Sequence, residues 1–295
     1  MKSSGYENGP VIIGGVGGSG TRVVAEIVTL FGFHLGKDLN QSLDNLTYTL
    51  LFKRPAWFIR NYQRTRKMTT GLRIMEKTLL TGDPVSFREK LFVRKAVSDM
   101  AKFGHNREKN GSGDWPLRRL PFINNPEKLD PARYKGWGWK EPNSHLMVPV
   151  FDGYFKDFRY IHMIRHGLDM AYSSNQQQLY NWAPLFGINV PEALEEVPGA
   201  SFRYWVEANR KVISFGDRIG IRKFLLVNFD KLCLDPLPGV KEIADFLQLS
   251  LPEEMLLKAS KLPVMPESAG RYKNHSRDVF NKDDLLFLEE IGFRY

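Results

Sequence analysis

"VIIGGVGGSGTR", Val11 to Arg22, decides how the rest of the chain is read. The apolar run is the pattern of a short buried strand, and the glycines after it allow successive backbone N–H groups to point inward at an anion. Val24, Ile27, Val28 and Phe31 then recur at helical spacing, with Arg22, Glu26 and Thr29 on the opposite side. A helix there adds its positive N-terminal end to the same point. Gly15 and Gly20 enclose four residues, the frame of a mononucleotide loop. Thr21 and Arg22, however, stand where kinases and nucleotide hydrolases place lysine and a magnesium-binding hydroxyl, which argues against magnesium-ATP chemistry. Gly15, Gly17 and Gly20 also read as G-x-G-x-x-G, but no acidic residue follows a second strand at the interval that holds a ribose. A tight strand-to-helix turn with no ligand is the third reading of the loop taken alone.

Length and composition narrow the classes. At 295 residues the chain suits one domain carrying a large insertion, 1–295, rather than two equal domains. Lys and Arg outnumber Asp and Glu by 42 to 33, a formal charge of +9, which favours either nucleic acid or a highly phosphorylated small ligand. Cys233 is the only cysteine, so an internal disulfide and a cysteine-built zinc site are excluded and a reducing compartment is expected. No apolar stretch approaches the roughly 20 residues of a membrane span. The start "MKSSGYENGP" lacks the plan of a signal peptide, and a cytoplasmic location is expected.

Beyond the loop helix, "FHLG" reads as a second strand. Residues 44–134 change character to basic helical segments, "YTLLFKRPAWFIRNYQRTRKM" and "SFREKLFVRKAVSDMAKFG", read as a helical insertion with Trp57, Phe58 and Tyr62 in its core. The α/β alternation then resumes: "GWGWKEP" and "FRYIHMIR" as strands, a helix from "HGLDMAYSSNQQQL", a long helix from "SFRYWVEANRKVISFGDRI", the strand "KFLLVNFD", and a helix burying Val240, Ile243, Ala244 and Leu247. Strands alternating with helices predict an α/β fold with a central parallel sheet covered on both faces.

The second informative stretch is "YIHMIRHGLDMAYSSN". Arg165 ends the strand and Ser173 falls two turns into the expected helix, so a charged fork and a hydroxyl are placed to converge on one phosphate. Together with "AGRYKNHS" near the C-terminus, these pieces resemble the PAPS-dependent sulfotransferase family. The resemblance implies a three-layer P-loop-like fold and metal-independent transfer of a sulfuryl group from 3′-phosphoadenosine 5′-phosphosulfate (PAPS), leaving adenosine 3′,5′-bisphosphate. It assigns Gly17, Gly18, Ser19, Gly20, Thr21 and Arg22 to the 5′-phosphosulfate loop and Arg165 with Ser173 to the 3′-phosphate. Arg271, Tyr272 and Lys273, after Gly270, fall in the segment that closes over the cofactor. The implied acceptor is a hydroxyl or amine of a small molecule, saccharide or lipid. The resemblance leaves residues 44–134 uncovered.

One departure matters. Relatives carry a lysine or arginine just before the Ser-Gly-Thr of the loop, where this chain has Gly18. Sulfuryl transfer builds negative charge on the bridging oxygen, so a cation must come from elsewhere. Lys140, in "WGWKEPNSH", resembles a Lys-x-Pro element of related enzymes and is expected to be that cation, with Arg22 assisting. The general base is expected to be Asp44, with Glu141, His145 and His34 as alternatives. The competing functions are a P-loop kinase with an irregular loop and a protein that binds nucleic acid through the basic insertion.

Overall fold

The computed structural model describes residues 9–106 and 111–295. The first eight residues, on which the signal-peptide expectation rests, and residues 107–110 of the expected insertion lie outside that description. β1 (Val11–Gly15) leads through the glycine loop into α1 (Thr21–Leu30) and β2 (Phe33–His34). Among the described residues that follow are the α-helices α2 (Leu46–Phe52), α3 (Pro55–Asn61), α4 (Thr65–Glu76), α5 (Phe87–Phe103) and α6 (Leu120–Asn124). Then come β3 (Gly136–Lys140), α7 (Val148–Tyr154), β4 (Arg159–Ile164), α8 (Gly167–Ala171), α9 (Gln177–Trp182) and α10 (Val197–Ile219). The chain ends with β5 (Phe224–Asn228), α11 (Phe229–Leu234), α12 (Pro236–Phe246), α13 (Glu253–Ala259) and α14 (Lys282–Glu290).

The five strands form one sheet in the order β2-β3-β1-β4-β5, and every pairing is parallel. β1 is therefore central, with later strands on both sides of it. Alternation along the strands divides the apolar side chains between two faces. Ile12, Trp137, Trp139, Tyr160 and Ile164 join one core with α7, α10 and the helices between β2 and β3. Val11, Ile13, Ile161, Met163 and Val227 join the other with α1 and α12. Each such fully buried aliphatic side chain contributes about 1.5–3 kcal/mol to folding. The tryptophans of "GWGWK" thus fill one layer, while Gly138 lies so close to Val11 that a Cβ would fall 1.8 Å from its carbonyl oxygen.

The structure refines one sequence expectation and changes another. The basic stretch from Tyr48 to Met68 divides among three helices, and the first break comes because Pro55 disfavours helical backbone at the residue before it and Arg54 turns extended there, at φ −120°. Arg54, one of the basic residues of this stretch, is not on the surface. It is buried, bonded to Asp99 at 2.8 Å and stacked 3.8 Å from the Trp57 ring, and burial pulls its pKa to about 10 against the pull of Asp99. The change concerns Ser173, which lies outside any helix because α8 stops at Ala171. The Gln176 side-chain amide donates to the carbonyls of Met170, Ala171 and Ser173, and so takes over the end of that helix. Among the described residues no helix is long and apolar enough to cross a membrane.

Candidate active site

The loop after β1 stands at the carboxyl edge of the sheet, where the chain first turns toward β2 and later returns to the other side as β4. Such a switch point is where open α/β sheets bind ligands. A turn closes it, with Ser19 N–H donating to the Val16 carbonyl at 3.1 Å. Gly20 then enters α1 at φ 85°, and a Cβ there would meet the Phe229 ring at 2.1 Å. The Ser19 hydroxyl is 1% exposed and has no hydrogen-bond partner among the described residues.

Arg165 leaves the end of β4 and reaches the loop. Its guanidinium donates to the Gly18 carbonyl at 3.5 Å and to the Ser268 hydroxyl at 3.1 Å, while its buried Nε has no partner among the described residues. Burial lowers its pKa, opposed by Asp169 and Asp230, and the charge of Arg271 lowers it further. Two arginines are thus held within each other's field. Asp169 fastens the C-terminal segment beside them: its carboxylate accepts from Gly270 N–H at 2.8 Å and from Tyr272 N–H at 3.3 Å. Tyr272 is buried and stacks on His166 with 4.5 Å between ring centres. Arg271 donates to the Tyr172 carbonyl at 3.4 Å, next to Ser173, whose hydroxyl accepts from Asn175 N–H. Lys273 is exposed.

A second cluster forms at the end of β3. Lys140 pairs with Ile13 of β1 and is buried. Its Nζ donates to Asp44 at 2.5 Å and to the Ser42 carbonyl at 2.9 Å. Glu141 is 1% exposed; burial raises its pKa to about 7, Lys53 opposing this and Asp44 adding to it. Each Glu141 oxygen accepts a bond from Asn143, one from its backbone and one from its side chain, both at 2.7 Å. The Asn143 oxygen in turn accepts from Gln178 and Trp182, and Gln178 accepts from Tyr204. Gln178 also packs against Gly17 so closely that a Cβ there would lie 2.8 Å from its Cγ. Glu141 is therefore linked through two amides to the underside of the glycine loop.

The profile of the sulfotransferase family matches residues 10–253. The chain belongs to the sulfotransferase family. Two solved structures share its fold over almost its whole length. The sulfotransferase domain from the Synechococcus PCC 7002 olefin synthase has a TM-score of 0.50 at 13% identity, covering 98% of this chain and 97% of that one. The sulfotransferase domain from the curacin biosynthetic pathway has a TM-score of 0.50 at 12% identity, covering 98% and 99%. No curated protein matches the sequence at a significant level. The fold of this sulfotransferase is thus P-loop-like, and the kinase and nucleic-acid readings give way to sulfuryl transfer.

Within this sulfotransferase, the sequence-derived residues fall into two groups and one outlier. Arg165 touches the loop at Gly18, Arg271 stands in the field of Arg165 and bonds the Tyr172 carbonyl beside Ser173, and Lys140 and Asp44 meet as an ion pair. Arg22 is the outlier: its guanidinium bonds Glu26 one helical turn along at 2.8 Å, and its side chain is 61% exposed. Of the alternative bases, His145 is buried, bonded to Pro142 and Tyr204, with its pKa lowered to about 3 by burial. His34 packs against the Tyr134 ring at a tilt of 51°, and burial, then Lys37 and Arg133, lowers its pKa to about 4. Asp169, Asn143, Gln178 and Ser268 were not singled out from the sequence. Asp169 stands four residues after Arg165, a helical spacing that hints at pairing, whereas nothing local marks Gln178 or Ser268.

Proposed function

We propose that this sulfotransferase takes PAPS as donor and that Lys140 supplies the cation that Gly18 does not. The observation that carries this reading is a pair of buried polar atoms without partners among the described residues, Ser19 Oγ on the glycine loop and Nε of Arg165, which touches that loop. An unsatisfied buried polar group costs about 1–3 kcal/mol, and phosphate oxygens satisfy both. The site therefore fits a ligand with terminal phosphates. The loop N–H groups, Ser19 and Thr21 are assigned to the 5′-phosphosulfate. Arg165, Ser173 and Arg271 are assigned to the 3′-phosphate, and Tyr272 and Lys273 to the segment that covers it. Arg22 would have to leave Glu26 to assist.

Bound PAPS supplies an activated sulfuryl group to a hydroxyl or amine of a small molecule, saccharide or lipid. Lys140 lowers the energy of negative charge developing at the loop, an electrostatic effect strengthened by its burial. Asp44 takes the acceptor's proton. It is the partly exposed member of the lysine pair, at 22%, whereas Glu141 is 1% exposed and His145 is held by Pro142 and Tyr204 with its ring kept neutral by burial. Glu141 keeps a positioning role through Asn143 and Gln178.

The test is thermal unfolding with adenosine 3′,5′-bisphosphate and no added metal. A ligand at 100 times its Kd stabilises by about 2.7 kcal/mol, and Arg165→Ala should abolish the shift. Stabilisation by magnesium-ATP instead, with none from the bisphosphate, would reject PAPS as donor. Acceptor candidates are then screened by mass spectrometry for the gain of one SO3.

A further inference from the structure

On the sheet face covered by α10, away from the glycine loop, a cavity of 350 Å³ opens between α10, α3, the first turn of α7 and the short turn Ala183–Phe186. Its volume lies in the range of small-molecule sites, about 300–1,000 Å³. Phe58, Phe186, Val212 and Phe215 give it apolar walls. Phe58 and Val212 belong to the buried core, so the cavity reaches inward rather than lying flat on the surface.

Two cations stand at its edge. Lys211 and Arg218, seven residues apart on one side of α10, are both exposed. Lys211 Nζ lies 5.5 Å from the centre of the Phe186 ring, and the Arg218 guanidinium 4.7 Å from that of Phe215. Both charges are thereby held over the rings that form the cavity wall. Neither belongs to an ion pair among the described residues. Glu207, the acidic residue one turn before Lys211, is already bonded to Arg203 and Arg210. An apolar interior with two uncommitted cations at the edge is complementary to a molecule with an apolar body and an anionic head.

We propose that this cavity binds a single-chain anionic amphiphile, its chain inside against Phe58, Val212 and Phe215 and its head at Lys211 and Arg218. His145 also lines the cavity and backs onto Gly14 at the end of β1, but Lys211 and Arg218 have no contact with the donor loop, and the proposal does not depend on the assignment of PAPS. Each methylene added to the chain should tighten binding by up to about fourfold until the cavity is filled.

Dodecanoate, dodecanol and butyrate are the probes, measured by calorimetry on the full chain. Dodecanoate should bind, more tightly than uncharged dodecanol, and butyrate should not bind measurably. The double variant Lys211→Glu/Arg218→Glu changes only exposed side chains. It should weaken dodecanoate about tenfold, leave dodecanol nearly unchanged and leave binding of adenosine 3′,5′-bisphosphate intact. Val212→Trp, checked for folding by circular dichroism, should abolish binding of both long-chain probes. No binding of dodecanoate, equal binding of dodecanoate and dodecanol, or a double variant that binds dodecanoate like the parent would each overturn the proposal.

Discussion

Asp169→Asn tests whether the fastening of the C-terminal segment sets donor affinity. The wild-type carboxylate is 2% exposed, accepts from Gly270 and Tyr272 N–H groups, and stands 4.0 Å from the Arg165 guanidinium. The amide keeps the size but turns one acceptor oxygen into a donor, which must then face a backbone N–H or Arg165. A hydrogen bond to a charged group contributes about 1.5–3 kcal/mol, and the retained bond becomes a neutral, weaker one. The net loss is about 2 kcal/mol, all of it from the closed position of residues 270–272. If that position is what brings Arg271 to the donor, the Kd of adenosine 3′,5′-bisphosphate rises by up to about 30-fold, the factor equivalent to that free energy. Calorimetry measures the affinity, and hydrogen exchange over residues 268–274 shows whether the segment has been released. Release of the segment with affinity changed less than about twofold would refute a donor-covering role. Unchanged exchange would refute the fastening itself.

Lys140→Ala should lower turnover about 10²–10³-fold while the bisphosphate still raises the melting temperature; near-normal turnover would remove Lys140 from the chemistry. Asp44→Asn should lower turnover in a way that raising the pH does not restore. Glu141 has a folded pKa near 7, above the ordinary 4.5, so the native state retains a proton that the unfolded state loses, and stability from this group falls as pH rises from about 4.5 to 7. Glu141→Gln should flatten that decline in urea titrations at pH 5 and 7.5, whereas a parallel decline in the variant would assign it to other groups. Gly20→Ala and Gly187→Ala share a left-handed backbone, φ 85° and 68°, but only the first drives its methyl into Phe229, the second having nothing within 4 Å. Gly187→Ala should cost about 1 kcal/mol and Gly20→Ala about 1–3 kcal/mol more, by urea unfolding.

The sequence made legible what is written in consecutive residues. The apolar strand, the glycine loop and the buried side of α1 all follow from spacing within 21 positions, and Arg165 follows from its place at a strand end. Ser173 was misplaced because the residue that ends α8 is held from afar: Gln176 caps the helix, and its own oxygen accepts from Ser201 on α10. The partnership of Lys140 with Asp44 was legible only as two separate candidates, since β3 and the turn before α2 meet through tertiary packing. Gln178 carried no local signal at all. Its importance comes from contact with Gly17, and such a contact exists only after α9 has docked.

The place of β1 in the sheet also bears on how the chain is made. Val11 pairs with Gly138 and Arg159, more than a hundred positions later, so β1 leaves the ribosome well before either of the strands that flank it. At about 5–20 residues per second, "VII" waits roughly six to thirty seconds without its sheet partners. Such distant pairings are slow to close, which makes this strand a natural client for chaperones while the ribosome is still at work.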